Sequence, residues 1–260
     1  MIALEHATLM EWLTGFLLVS VRISAMMLAS PIYSAASVST PVRVLLTVAV
    51  AAVLVGRVPV PTVDLFGLAG LIALVREALI GIAIGFVMQI AFAAVAVAGE
   101  QVSYAMGLGF AAMVDPQTGT QSPVVTQFIS IMMVLVFLSL EGHHILLEQL
   151  AASFRILPIG GPVLDMKMFR AIVEAGGLLF SAAFLLALPV VLAITLVNIV
   201  IGMLTRVAPQ MNIFSVGFPI TIIAGLVLLM VSVPNLSGGM AGLLEEVTRR
   251  MREAVMAGRG

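Results

Sequence analysis

The chain has 260 residues, 62% of them hydrophobic and 10% charged, with a formal net charge of −1 at pH 7. Soluble domains run at about 45–50% apolar and about 25% charged, so a water-soluble globular fold of this length would have too thin a charged shell. The near-neutral balance carries no basic footprint for nucleic acid, and the lack of cysteine excludes disulfide scaffolds, thiol catalysis and cysteine-ligated metal.

What remains is an all-α integral membrane protein. A spanning helix needs about 20 mostly apolar residues, and six such segments are predicted in chain order. Residues 9–30 form the first, interrupted by Arg22; no basic region precedes it, so it reads as a retained span and not a cleaved signal peptide. Residues 42–55 form a short second span, and Pro59 and Pro61 break the chain after it. The third, 63–98, is long enough for one crossing plus an extra piece, with Arg76 and Glu77 inside it. Asp115-Pro116 opens a loop before the fourth, 124–140. The stretch 141–174 is the least apolar, and Ile156-Leu157-Pro158-Ile159-Gly160-Gly161-Pro162 must be turn and loop. The fifth span, 176–204, is too long for one straight crossing and Pro189 is expected to kink it. The sixth is 213–233, and the mixed-charge tail 245–260 reads as a short solvated helix. All six are apolar on every side, without the period-two alternation of barrel strands.

Four patterns bear on chemistry. Gly107-Leu108-Gly109-Phe110-Ala111-Ala112 matches a G-x-G-x-x-A string, but the βαβ setting of a dinucleotide fingerprint is missing; small residues there let the backbone bend. Glu141-Gly142-His143-His144, with Glu148 a turn later, supplies one Glu-x-x-His spacing where di-iron bundles use two. It reads as a polar helix end or a partner contact, with metal ligation the alternative. Gly81 and Gly85 form a G-x-x-x-G that lets helices approach closely. Arg22, Arg76, Glu77 and Arg206 lie within or beside apolar spans, where an unpaired charge costs at least about 2.5 kcal/mol. Arg76 and Glu77 point about 100° apart on a helix, so each should seek another partner, on another helix or another chain. Interchain salt bridging, an ion path and snorkelling of arginine all remain open. No P-loop, H-E-x-x-H or G-x-S-x-G is present.

One set of residues is more specific. Gly107 to Asp115-Pro116-Gln117-Thr118-Gly119-Thr120-Gln121-Ser122-Pro123, Glu141-Gly142-His143-His144, Arg206-Val207-Ala208-Pro209-Gln210-Met211-Asn212-Ile213-Phe214 and Gly217-Phe218-Pro219 occur with Arg76-Glu77 before Gly81 and Gly85. In this order and spacing the chain resembles the FliR family of flagellar type III secretion export-gate proteins, over nearly its whole length.

The resemblance implies a non-enzymatic channel subunit, without cofactor or metal, in the bacterial inner membrane at the flagellar basal body. Its partners would be FliP-type and FliQ-type gate subunits, an FlhB-type component and unfolded flagellar export substrates. Residues 1–162 would be a FliP-like helical part and 163–260 a FliQ-like helical hairpin with the charged tail. The family's plug loop would correspond to Met106, Gly107, Leu108, Gly109, Phe110, Ala111, Ala112, Met113 and Val114. Glycine freedom and a deformable apolar seal suit such a plug, although a re-entrant loop that only packs between helices is the alternative. Asp115 would end that loop, and Arg206, Gln210 and Asn212 would form a contact surface between the last two helices. Two readings of other classes compete. One is a stand-alone secondary transporter using Arg76, Glu77 and Glu100, although no convincing inverted repeat supports it. The other is an intramembrane enzyme built on Glu141, His143 and His144, which lacks a nucleophile or a full ligand set.

Overall fold

A computed structural model describes residues 2–59, 67–108, 124–162, 164–208 and 217–259. Among them the chain is all-α, in the order α1 (Ile2–Ala29), α2 (Thr40–Val55), α3 (Leu68–Ala105), α4 (Val124–Ser139), α5 (Gly142–Ile156), α6 (Met166–Val207) and α7 (Phe218–Ala257). Four described helices are long and apolar enough to cross a membrane, or five if the α4–α5 pair counts as one broken crossing. The six predicted spans thus become seven helices, of which α2 is too short to cross alone.

Local sequence explains several ends. Ser39 precedes α2 in an extended conformation with proline in the first turn, and Gly56 follows its last residue, the expected asymmetry of helix punctuation. Asp165 caps α6: its Oδ1 accepts the Lys167 N–H at 2.9 Å. That backbone bond and the Lys167 side chain hold the Asp165 carboxyl below its ordinary range. Its contribution is therefore complete above that range and is lost as the pH falls through the lowered value. The protection factors of the first-turn amides of α6 should fall on acidification, and Asp165→Asn should remove that dependence.

The last two helices overturn the predicted ends. α6 begins ten residues before the predicted 176 and runs unbroken through Pro189, and α7 runs unbroken through Pro234 to Ala257. A proline removes one helical hydrogen bond, but the apolar face beyond Pro234 continues. Leu236, Met240, Leu243, Leu244, Val247, Met251, Ala254 and Val255 recur at helical spacing and are buried. The opposite face carries Arg249 bonded to Glu246 at 3.0 Å and Arg250 bonded to Glu246 at 2.9 Å. The tail is the end of α7, half buried, and not a separate solvated helix.

The described chain packs as two compact units, neither contiguous in sequence. The first comprises Met1–Ile90, Glu141–Gly176 and Glu245–Gly260; the second comprises Ala91–Leu140 and Gly177–Leu244. In the first, α3 lies directly on α1. A Cβ on Gly81 would collide with the Arg22 carbonyl oxygen, and one on Gly85 would lie 2.5 Å from the Met26 carbonyl oxygen. The G-x-x-x-G reading thus describes a real backbone approach, sealed by buried Leu18, Ile23, Met26, Ile80 and Ile84. In the second unit, Gly99 sits on Thr126 of α4 and Phe92 meets Phe137 edge-on at 5.5 Å.

Candidate functional site

The first polar site lies in the first unit. Close packing of α3 on α1 brings the fully buried side chains of Arg22 and Glu77 together, with Arg22 Nε donating to Glu77 Oε2 at 2.6 Å. Arg22 also donates from Nη1 to Ser153 Oγ at 3.0 Å and from Nη2 to the Leu157 carbonyl at 2.8 Å. Its guanidinium carbon stands 4.1 Å from the centre of the Phe154 ring. Arg76 Nη1 donates to Glu77 Oε1 at 3.0 Å and to the Pro158 carbonyl at 2.9 Å, and Nε donates to the Pro162 carbonyl at 3.0 Å.

Glu77 thus finds the partner on another helix that its position called for, and Arg76 finds the 158–162 turn while also reaching Glu77 itself. The long arginine stem bends around the helix, and Glu77 offers one oxygen to each guanidinium. Two guanidinium groups against one carboxylate leave one formal positive charge, which carbonyl dipoles of the 157–162 turn offset. Five guanidinium nitrogens each have a fixed acceptor, so the cluster ties three separate stretches of chain together. It shows no mobile charge of the kind a coupling path needs, and Glu100 is exposed about six turns further along α3.

The second site, in the second unit, is the base of the predicted plug segment. Leu108 N–H donates to the Ser103 carbonyl at 3.2 Å and Gly107 N–H to the Tyr104 carbonyl at 3.0 Å. With Gly107 at φ 80°, this is a Schellman cap on α3. Gly107 here supplies a fixed left-handed turn, where freedom was expected. That motif leaves the Ala105 carbonyl over, and Asn198 of α6 donates to it from Nδ2 at 3.2 Å. Thr221 of α7 donates from Oγ1 to Asn198 Oδ1 at 3.0 Å. Met106 is completely buried, with its side chain folded against Gly225, and the Phe218 ring lies over Gly107.

The remaining predicted residues fall elsewhere. Gly109, Phe110, Ala111, Ala112, Met113, Val114, Asp115, Gln210 and Asn212 lie outside the described residues. Arg206 is exposed at the end of α6, so it is not a buried charge. Glu141 adopts φ 54° at the break between α4 and α5, and His144 Nδ1 lies 3.4 Å from its carboxylate with both side chains mostly exposed. No group of three or more metal-ligating side chains assembles among the described residues. Sequence reading missed Asn198 and Thr221. The signal was present: Asn198 is an amide within an otherwise apolar stretch of α6, where a polar side chain seeks an interhelical partner.

The chain matches the family described as "Bacterial export proteins, family 1" over residues 13–247. It is 36% identical over 247 residues to the flagellar biosynthetic protein FliR of Pectobacterium carotovorum subsp. carotovorum, covering 95% of each protein. The FliR of Escherichia coli strain K12 is 35% identical over 246 residues, 95% of this chain and 94% of its own. That of Bacillus subtilis strain 168 is 31% identical over 227 residues, 86% of this chain and 88% of its own.

Proposed function

The chain belongs to family 1 of the bacterial export proteins, with the flagellar biosynthetic proteins FliR, and we propose that it is a non-enzymatic channel subunit of the flagellar type III export gate. In this reading it conducts unfolded flagellar proteins across the inner membrane, at the basal body, together with FliP-type and FliQ-type subunits and an FlhB-type component. The observation that carries it is the match to the FliR of Pectobacterium carotovorum over 95% of both chains. Residues 1–162 act as the FliP-like part and 163–260 as the FliQ-like hairpin.

The exposed apolar surface supports an assembled subunit. Only 22% of the apolar window is buried in α6 and in α7, against 61% in α3. Phe180, Leu185, Leu196, Met230 and Val231 stand outward, a larger apolar face than a finished monomer presents to water. Lipid and neighbouring helices are what can cover it. Co-expression with FliP-type and FliQ-type proteins should yield one stable complex by native mass measurement. A monomer showing substrate-coupled ion flux would overturn the proposal.

Residues 106–114 form the plug. Its described base is held by the α3 cap and Asn198, so it is anchored at Leu108. Deleting 107–114 should raise ion conductance through the assembled gate, and unchanged permeability would remove the assignment. Asn198→Leu leaves the Ala105 carbonyl unpaired and should destabilise the chain by about 1 kcal/mol, with a smaller leak of the same kind. Arg206, Gln210 and Asn212 form a contact surface of the assembled gate; an Arg206→Ala chain that assembles and exports normally would count against it.

A further inference from the structure

Three consecutive residues close α3, and each is held by a different group of the last two helices. The Ala105 carbonyl accepts from Asn198 Nδ2, the Met106 side chain lies against Gly225, and Gly107 lies under the Phe218 ring. Phe218, Thr221 and Gly225 follow an i, i+3, i+7 spacing on α7, so they share one face of that helix. Along this face stand an aromatic ring, a hydroxyl bonded to Asn198, and a position without a side chain.

Gly225 differs from Gly81 and Gly99. A Cβ on Gly81 meets the backbone of α1 first, and one on Gly99 meets the Thr126 Cα at 2.9 Å; those glycines let helices approach. A Cβ on Gly225 would first meet a single side chain: Met106 Cγ at 2.6 Å, Cε at 2.8 Å and Sδ at 3.0 Å. The flexible methionine stem is curled into the space that the missing side chain leaves. Its burial is complete, so a methyl at 225 is admitted only if Met106 leaves its seat. Helix propensity alone favours alanine over glycine in the interior of α7, and the seat is what glycine provides there.

Met106 also sits at the decisive point of the backbone. Its N–H donates to the Val102 carbonyl at 3.0 Å, the last i→i−4 bond before Gly107 turns the chain out of α3 at φ 80°. Displacing Met106 therefore displaces the residue on which the chain turns.

We propose that Gly225 is a positioning residue of the export gate: the side chain it lacks is the seat for Met106, and that seat fixes how the plug departs from α3. The proposal rests on reading residues 106–114 as the plug.

The test is potassium conductance across planar bilayers containing the gate assembled from this chain with its FliP-type and FliQ-type partners. Gly225→Val should raise the closed-gate conductance severalfold. Gly225→Ala, a better helix former whose single methyl already meets Met106, should assemble normally and raise it less. Met106→Ala combined with Gly225→Val trades one apolar volume for the other and should return the conductance to near the wild-type value. General loss of helix stability would give no such rescue. Tight gates from both Gly225 variants would overturn the proposal, and so would a double variant as leaky as Gly225→Val. The 107–114 deletion separates the two readings in the same apparatus. If it leaks while both Gly225 variants stay tight, the plug reading stands and the seat is wrong; if it is tight, the plug reading fails and the proposal with it.

Discussion

Glu77→Gln lowers the unfolding free energy of the detergent-solubilised chain by about 3–5 kcal/mol, the range for breaking a buried ion pair by removing one partner. The carboxylate serves two guanidinium groups, one from α1 and one from its own helix. A glutamine amide presents one oxygen and one NH₂, so one arginine keeps a neutral acceptor and the other faces a donor. Both positive charges stay buried, because the Leu157, Pro158 and Pro162 carbonyls still hold them. Denaturant titration followed by circular dichroism measures the loss. The exposed Arg170–Glu174 pair, at 2.8 Å, is the control: Arg170→Ala should leave the denaturation midpoint at the wild-type value, because a solvated helix-surface pair contributes little. Replacing Arg22 by Met together with Glu77 by Gln should be less harmful than the sum of the two single changes, since the pair is removed jointly. Strict additivity would show that Arg22 and Glu77 are not coupled.

Gly81→Leu costs about 3 kcal/mol or more, beyond the usual 1–3 kcal/mol of core overpacking. The obstacle is the Arg22 carbonyl oxygen, with the Met26 backbone nitrogen and the Ala25 Cβ each at 2.9 Å. Backbone of another helix cannot rotate aside as a side chain can. Relief requires α1 and α3 to separate, which stretches the Arg22–Glu77 contact one turn earlier on α3. Gly81→Leu and Glu77→Gln should therefore combine to less than the sum of their separate effects. Thermal unfolding of the two single variants and the double variant measures this. A Gly81→Leu chain as stable as the wild type would show that the helix contact is not close-packed.

Helix existence was legible because apolar runs near 20 residues have one explanation in a chain this poor in charge. The start of α2 was legible to within two residues, at 42 against Thr40, but Asp165, which caps α6, went unread and the predicted start fell ten residues late. Nor was the continuation of α7 through Pro234 legible. A proline interrupts a reading made span by span, whereas the buried stripe from Leu236 to Val255 shows that burial outweighs one lost hydrogen bond. The polar cluster was half legible. Each charge in it stood out as costly in an apolar run, but Arg22 and Glu77 are 55 positions apart, and no spacing rule reports that two helices cross there. The Schellman cap was hidden for another reason. Gly107 belongs to a glycine-rich string whose looseness was the obvious reading, and only the partner carbonyls of Ser103 and Tyr104 reveal a turn held in one conformation.

The interleaving of the two units sets an order on biogenesis. The first unit starts with Met1–Ile90 but is completed by Glu245–Gly260, whose last turns are buried at Met251, Ala254 and Val255. From 90 to 245 is 155 residues, roughly 8–30 s of synthesis at about 5–20 residues per second. Throughout that interval α1 and α3 can pair, closing the Arg22–Glu77 contact, while the surface meant for the end of α7 stays open. The early helices wait in the membrane for the last one made, so a ribosome that stalls late leaves a half-built unit with an apolar seam, the kind of intermediate that quality-control proteases and chaperones recognise.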